Sequence, residues 1–311
     1  MISYTKTLDK VFNNKYIVNV ERFLKNRRRD SMNYKIVSDS SSNLYEIEGI
    51  NYASVPLKIV TQEKEYIDKE GLDIHQMIEE LKVVKGKTGT ACPSAGEWFE
   101  AFGDSDAVFA ISITSKLSGC YNAAMVAKSQ FEEMYPEKKI HIFDSLSTGA
   151  EIELIIRKMI ELIQQEKSFE EIVDTINDYM KHTHLLFVLE SVHNLASNGR
   201  VSPVLAKSAS VFGVRVVAKA SDVGDLEPFG IVRGAKKALK RLYEEILKKG
   251  YQGHKMIICH TENESGAEQL KEMLLEKYPQ ADIQINEDKG LCSYYLEPGG
   301  IMAGFEDQDY K

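Results

Sequence analysis

The chain has 311 residues, 43% hydrophobic and 28% charged, which fits a folded protein with sizeable cores and room for two domains. Its net charge of −8 argues against general nucleic-acid binding. The four cysteines (Cys92, Cys120, Cys259, Cys292) form no C-x-x-C pair, so neither a zinc ribbon nor a disulfide framework is expected, and no apolar run approaches the ~18 residues of a membrane span.

Residues 1–31 carry Arg22, Lys25, Arg27, Arg28 and Arg29 and lack the apolar core of a signal peptide. They read as a basic appendage, or as a segment for transient contact with a membrane surface or an acidic partner. Met32 is an alternative start. The first strand is Tyr34–Ser38, ending in the polar loop Asp39–Asn43. A second strand is predicted over Tyr52–Val60, with Glu65–Asp68 as an edge. Leu72–Leu81 has helical apolar spacing.

Ser94 and Glu97 form a capping box for the next helix. Ala107–Ile113 is a continuous apolar strand, followed by a helix from about Ser118 to Tyr135. Lys139–Phe143 is another buried strand, ending in Asp144–Thr148. Thr148 with Glu151, and Ser168 with Glu171, predict two further capping boxes. This alternation implies an α/β domain with a parallel sheet, whose ligands sit beyond the carboxyl ends of the strands. After a linker near Lys181–His184 the pattern changes. Leu185–Glu190 is a strand, Ser191–Gly199 a short helix, and Ser202-Pro203 a helix start. Arg215–Ala220 and Leu226–Val232 form a hairpin. A basic helix over Gly234–Lys249, strand Lys255–His260, helix Glu264–Tyr278 and strand Asp282–Asn286 complete an α+β domain with a mixed or antiparallel sheet.

Two hydroxyl- and glycine-rich loops stand out: Thr88–Glu97 and Ile111–Cys120. Each runs into a helix, where O–H and N–H donors meet the positive helix end, so each can hold an anion. Ser40 and Ser94 belong to the same set of loops, with Gly119 beside Ser118. Taken singly, Ser94, Ser118, Thr148 and Ser168 read as helix caps. Gly86-Lys87-Thr88 is not a phosphate loop, because Leu81 stands where that motif needs glycine. No G-x-S-x-G elbow occurs. Asp39 and Asp144 read as loop-ordering residues rather than a catalytic pair. His182-Thr-His184 reads as structural, with no third metal ligand near it in sequence.

Lys35–Leu44, Thr90-Ala-Cys-Pro-Ser94, Ile113–Asn122, Asp144-Ser145, Asn198–Ser202 and Val232–Ala238, in that order, resemble the motifs of the DegV family of fatty-acid-binding proteins. The resemblance spans about Tyr34 to Gly304. It implies a non-enzymatic cytoplasmic protein that buries a long-chain fatty acid between two domains and needs no metal or other cofactor. It also implies a partner kinase that phosphorylates the exposed carboxylate to an acyl phosphate. By the family pattern, Thr90 and a serine of 115–118 hold that carboxylate, Ser118 first and Ser115 second. Tyr295 stands where the family often has a histidine, and Glu297 where it has a glycine; the tyrosine still offers one hydrogen bond. Arg200 and Arg233 are candidates for docking the partner. The chain then divides into an extension (1–31), a carboxylate-binding α/β domain (32–181) and an α+β lid and docking domain (182–311). The rival reading is a small-molecule enzyme using the same anion-binding edge for phosphate-ester or hydrolase chemistry. A regulator switched by bound lipid is a third.

Overall fold

The computed structural model describes residues 32–203, 205, 207 and 213–307. The basic run before Met32 lies outside them. Strand β1 (Tyr34–Asp39) pairs in parallel with β2 (Tyr52–Val55) on one side and β6 (Ala107–Ser112) on the other, and β7 (Lys139–Asp144) extends the sheet beyond β6. The order is β2-β1-β6-β7, all parallel. Every residue of β6 is buried, as expected for a strand covered on both faces. Helices α2 (Ala95–Phe102) and α3 (Cys120–Met134) pack Trp98, Phe102 and Phe131 against one face. Helices α4 (Ala150–Gln164) and α5 (Phe169–Tyr179) cover the other.

The predicted strand Tyr52–Val60 is instead two strands in different sheets. The chain leaves the parallel sheet at Pro56, which has no N–H to give a ladder. It resumes as β3 (Lys58–Val60), between β4 (Glu65–Ile67) and β5 (Gly89–Ala91) in a small antiparallel sheet. So the Thr88–Ser94 loop contains a short strand. Helix α1 (Ile74–Val83) starts later than predicted, capped by Asp73.

The second sheet has the order β10-β9-β8-β13-β11-β12. Its strands are β8 (Thr183–Leu189), β9 (Val214–Ala220), β10 (Leu226–Arg233), β11 (Met256–His260), β12 (Ile283–Glu287) and β13 (Ile301–Glu306). Only β11 and β12 pair in parallel. Between them run α6 (His193–Ser197), α7 (Ala235–Lys248), α8 (Glu264–Lys277) and α9 (Gly290–Leu296). Ser202 Oγ accepts the Leu205 N–H at 3.2 Å, as a cap should at the predicted Pro203 start. The last helix and strand are not among the predicted elements, yet β13 lies at the sheet's centre. Helices α4 and α5 fill the space between the large sheets, so Ile36 and Phe109 share one core with Leu185, Phe187 and Val216.

The capping boxes at Ser94 and Ser168 are present. The one predicted at Thr148 is not. Helix α4 begins after Gly149 without a side-chain cap. Glu151 turns inward instead, accepting the Ser147 hydroxyl at 2.5 Å and the Thr183 hydroxyl at 2.7 Å. Burial pushes its carboxyl up to about 7 from an ordinary 4.5, the two hydroxyls and Lys249 countering only in part. A raised folded-state pKa means the native state holds its proton longer than the unfolded chain does. Stability from this group is therefore full below about pH 4.5 and is lost as pH rises towards 7. Glu151→Gln is expected to match wild type near pH 4 and to be roughly 1–3 kcal/mol more stable at pH 8. Denaturant titrations at the two pH values check this; a variant less stable at pH 8 than at pH 4, relative to wild type, contradicts it.

Candidate functional site

A slot opens between the carboxyl ends of the parallel sheet and the face of the second sheet. Its atom-free space is about 840 Å³, part of it at the open mouth. Leu185, Phe187 and Leu189 line it from β8. Their i, i+2, i+4 spacing puts all three on one face of the strand. Leu57, Ile113, Leu117 and Leu146 line it from the loops of the first sheet, and Leu291, Leu296 and Met302 from the C-terminal segment. The walls are overwhelmingly apolar, as a site for a hydrocarbon requires.

Polar groups gather at one end. Thr90 Oγ1 and Tyr295 Oη lie 2.7 Å apart. Beside them Thr88 Oγ1 meets Tyr294 Oη at 2.7 Å, and Asn198 Nδ2 donates to Tyr294 Oη at 3.0 Å. Two hydroxyl pairs, from Thr90 in β5 and from Thr88 just before it, thus stitch this segment to α9. The Arg200 guanidinium stands 6.0 Å over the Tyr295 ring. It is aimed by donating to Leu117 O at 3.3 Å and Asn198 O at 2.6 Å. Burial raises the Tyr295 phenol above its ordinary value, with Thr90 and Arg200 opposing. Tyr295 is therefore a neutral hydroxyl at physiological pH and can donate.

Ser118 also lines the slot. Its Oγ accepts the Cys120 N–H at 3.3 Å and donates to Cys120 Sγ at 3.1 Å. The cap of α3 is Gly119, without a side-chain bond, so the positive end of that 15-residue helix lies beside Ser118.

Helix α9, which carries Tyr295, is positioned from far away in sequence. The buried Asp68 accepts the N–H groups of Gly290 at 2.8 Å and Leu291 at 2.9 Å, and the Tyr45 hydroxyl at 2.5 Å. A carboxylate thus caps a helix more than 200 residues later, as its positive end favours. Glu297, at the other end of α9, accepts the Asn194 N–H at 3.0 Å and is not among the lining residues.

Thr90, Ser118 and Tyr295 thus line one slot, and Arg200, assigned to docking from sequence, lines it too. Arg233 is exposed at the end of β10 and does not. Ser115 lies outside the lining, its N–H bound to Asp144 Oδ1 at 3.0 Å. Ser40 is buried and accepts the Leu57 N–H at 3.0 Å. Ser94 is an exposed helix cap. Asp39 accepts the Ile113 N–H at 2.9 Å and the Ser41 N–H at 3.1 Å, ordering the loops as expected. Burial lifts its pKa to about 6. His182 and His184 both meet the Asp307 carboxylate, at 3.3 and 3.0 Å. Among the described residues no group of three His, Cys, Asp or Glu can hold a metal ion, and no helix is long and apolar enough to cross a membrane. The sequence offers no local sign of Asp68, whose partners lie more than 200 residues on, and Arg200, read there as a docking residue, reaches the slot through Leu117, 83 residues earlier.

Comparison with known proteins identifies the family. The profile of a family described as an uncharacterised protein, DegV family, matches residues 33–306. A DegV domain-containing protein of Streptococcus pneumoniae is 40% identical over 279 residues, 88% of this chain and 99% of its own. A DegV family protein of Eubacterium eligens, solved loaded with heptadecanoic acid, is 42% identical. It superposes with a TM-score of 0.86 over 88% of this chain and 100% of its own. The Streptococcus pneumoniae Fatty Acid Kinase (Fak) B3 protein, solved loaded with linoleic acid, is 39% identical. It has a TM-score of 0.87 over 88% of this chain and 99% of its own. With its parallel α/β half, mixed second sheet and near-complete profile match, the chain belongs to the DegV family.

Proposed function

We propose that this protein is a fatty-acid carrier that holds one long-chain acid in the slot and presents its carboxylate to a separate kinase. The observation carrying this reading is an overwhelmingly apolar slot in which Thr90, Ser118, Tyr295 and Arg200 come together. Thr90, Ser118, Tyr295 and Arg200 act together on the carboxylate. Hydroxyl donors and a guanidinium give short, charge-assisted bonds to a carboxylate. The positive end of α3 adds a favourable field. Each methylene removed from water contributes about 0.8 kcal/mol before ordering costs, so an acyl chain supplies most of the affinity. The protein itself activates nothing: Asp39 and Asp144 are engaged with backbone N–H groups. Conversion to an acyl phosphate then falls to the partner kinase. Both halves hold the acid head, Thr90 and Ser118 from the first and Arg200 and Tyr295 from the second, and the second half also carries the exposed Arg233 towards the partner.

Protein purified from cells and denatured is expected to release about one fatty acid per chain, identified by mass spectrometry. A lipid-free extract from protein that also binds no added oleate removes the carrier reading.

A further inference from the structure

Behind one end of the slot lies a second cleft, with about 1,450 Å³ of atom-free space partly open to solvent. It is lined by Glu151, Thr183, His184, Asp222 and Lys249, among others, and is far more polar than the slot. Leu146, Leu185 and Ala220 line both. These three side chains are the partition between an apolar channel and a polar one.

Two independent features put this partition far from Arg200 and Thr90 at the polar head. Along β8, Leu189 leads into α6 and on to Arg200, whereas Leu185 is four residues back, about 13 Å away at ~3.3 Å per residue. Ala220 is at the same end, since β9 runs antiparallel to β8 with Lys219 opposite Leu186. In the first sheet, Leu57 and the Thr90 strand follow the β2 edge, while Leu146 follows β7 at the opposite edge. Three strand spacings of about 4.8 Å separate those edges by about 14 Å.

The partition is also locked in place. Leu146 has φ 54°, in the left-handed region that strains a leucine. Its N–H is held by Asp144 Oδ1 at 3.3 Å. The tip of the β9–β10 hairpin closes on it at Gly224, whose carbonyl accepts the Thr114 hydroxyl at 3.0 Å. A Cβ on Gly224 would lie 2.2 Å from Thr114 Oγ1 and 3.2 Å from Leu146 Cα, so only glycine lets the hairpin approach this closely.

We propose that Leu146, Leu185 and Ala220 form the end stop that sets the longest acyl chain this protein accepts. This rests on the fatty-acid reading above. In the wild type the three side chains fill the path, so methylenes beyond the limit find no buried space, and beyond the partition lie polar groups they would desolvate; only the space vacated by the Leu146 side chain can take more chain. Leu146→Gly removes the stop and suits the left-handed backbone, so the fold tolerates it. Ala220→Leu thickens the stop.

Affinities for saturated straight-chain acids from myristic to lignoceric acid test this. Wild type is expected to tighten with length and then to weaken abruptly. Leu146→Gly should move that limit up by about two carbons. At about fourfold per buried methylene, the acid two carbons past the wild-type limit should bind about fifteenfold tighter to the variant than to wild type. Ala220→Leu should move the limit down. The readout is the position of the limit along the series, and measurable myristic acid binding shows that each variant is folded. An unchanged limit in both variants, with myristic acid binding intact, overturns the end stop and leaves the carrier reading standing. Should Leu146→Gly fail to fold, Leu185→Ala opens the same partition from β8 and must raise the limit likewise. Wild type that binds none of the acids rejects the carrier reading and the end stop together.

Discussion

A protein carrying Thr90→Ala and Ser118→Ala together is expected to bind a long-chain fatty acid at least ~100-fold more weakly than wild type. A hydrogen bond to a charged group contributes about 1.5–3 kcal/mol, so two are worth roughly 3–6 kcal/mol. Every 1.4 kcal/mol is about tenfold in affinity. Water at the open mouth replaces part of the lost bonding, which is why the expected loss is set at the low end of that range. Arg200 remains, and it is not a substitute for the hydroxyls. Two of its nitrogens already donate to the carbonyls of Leu117 and Asn198, which fixes its position. Stability should fall by about 1–3 kcal/mol, from the Thr90–Tyr295 bond at 2.7 Å and the Ser118 bonds at the start of α3. Calorimetric titration with oleate, beside a thermal melt of the same sample, separates the two effects. Wild-type affinity in a folded double variant takes both residues out of the site and leaves Arg200 and Tyr295 as the only head-group contacts to test.

What was legible in the sequence was local. The strand at Ala107 is set by a continuous apolar run, those at Tyr34 and Lys139 by short apolar stretches ending in polar loops, and the caps at Ser94 and Ser168 by a glutamate three residues on. Each signal sits inside the element it specifies. Thr148 with Glu151 carries the same signal and fails, because Glu151 finds Thr183 on β8, 32 residues away, and folds inward. Pro56 splits what the alternation of Tyr52–Val60 suggests is one strand. Helix α9 has no start signal of its own, since its cap is Asp68. The site divides in the same way. Thr90 and Ser118 sit in loops whose composition marks them. That Thr90 meets Tyr295, 205 residues on, follows from β5 lying against α9. Arg200 reads as a surface cation in sequence and becomes a slot residue only because α6 returns the chain to Leu117.

Gly304→Ala is expected to destabilise the protein by about 3 kcal/mol or more, a large effect for one methyl group. Gly304 sits in β13 against the start of α4. A Cβ there would lie 2.5 Å from the Glu151 nitrogen and 2.6 and 2.7 Å from the Ala150 carbonyl carbon and oxygen. These are backbone atoms, so no rotamer change relieves the clash; a strand or a helix must move. Neither moves freely. Strand β13 is paired on both sides, Gly304 facing Leu185 of β8 and Ile257 of β11. Helix α4 is held by Glu151 to Thr183 and by Gly149, whose N–H donates to Ser41 O at 2.7 Å. The contact also sets the depth of the slot, because Ser147 and Thr148 at the head of α4 and Met302 on β13 all line it. A variant that folds should therefore also bind fatty acid more weakly. Gly96→Ala is the control. Gly96 is exposed in the first turn of α2, with only Ser94 Oγ near, at 3.8 Å. There alanine should stabilise by roughly 0.5–1 kcal/mol through helix propensity and a less flexible unfolded chain. Denaturant melts of the two variants should shift in opposite directions. Gly304→Ala as stable as wild type would mean that β13 and α4 are not packed backbone to backbone as described.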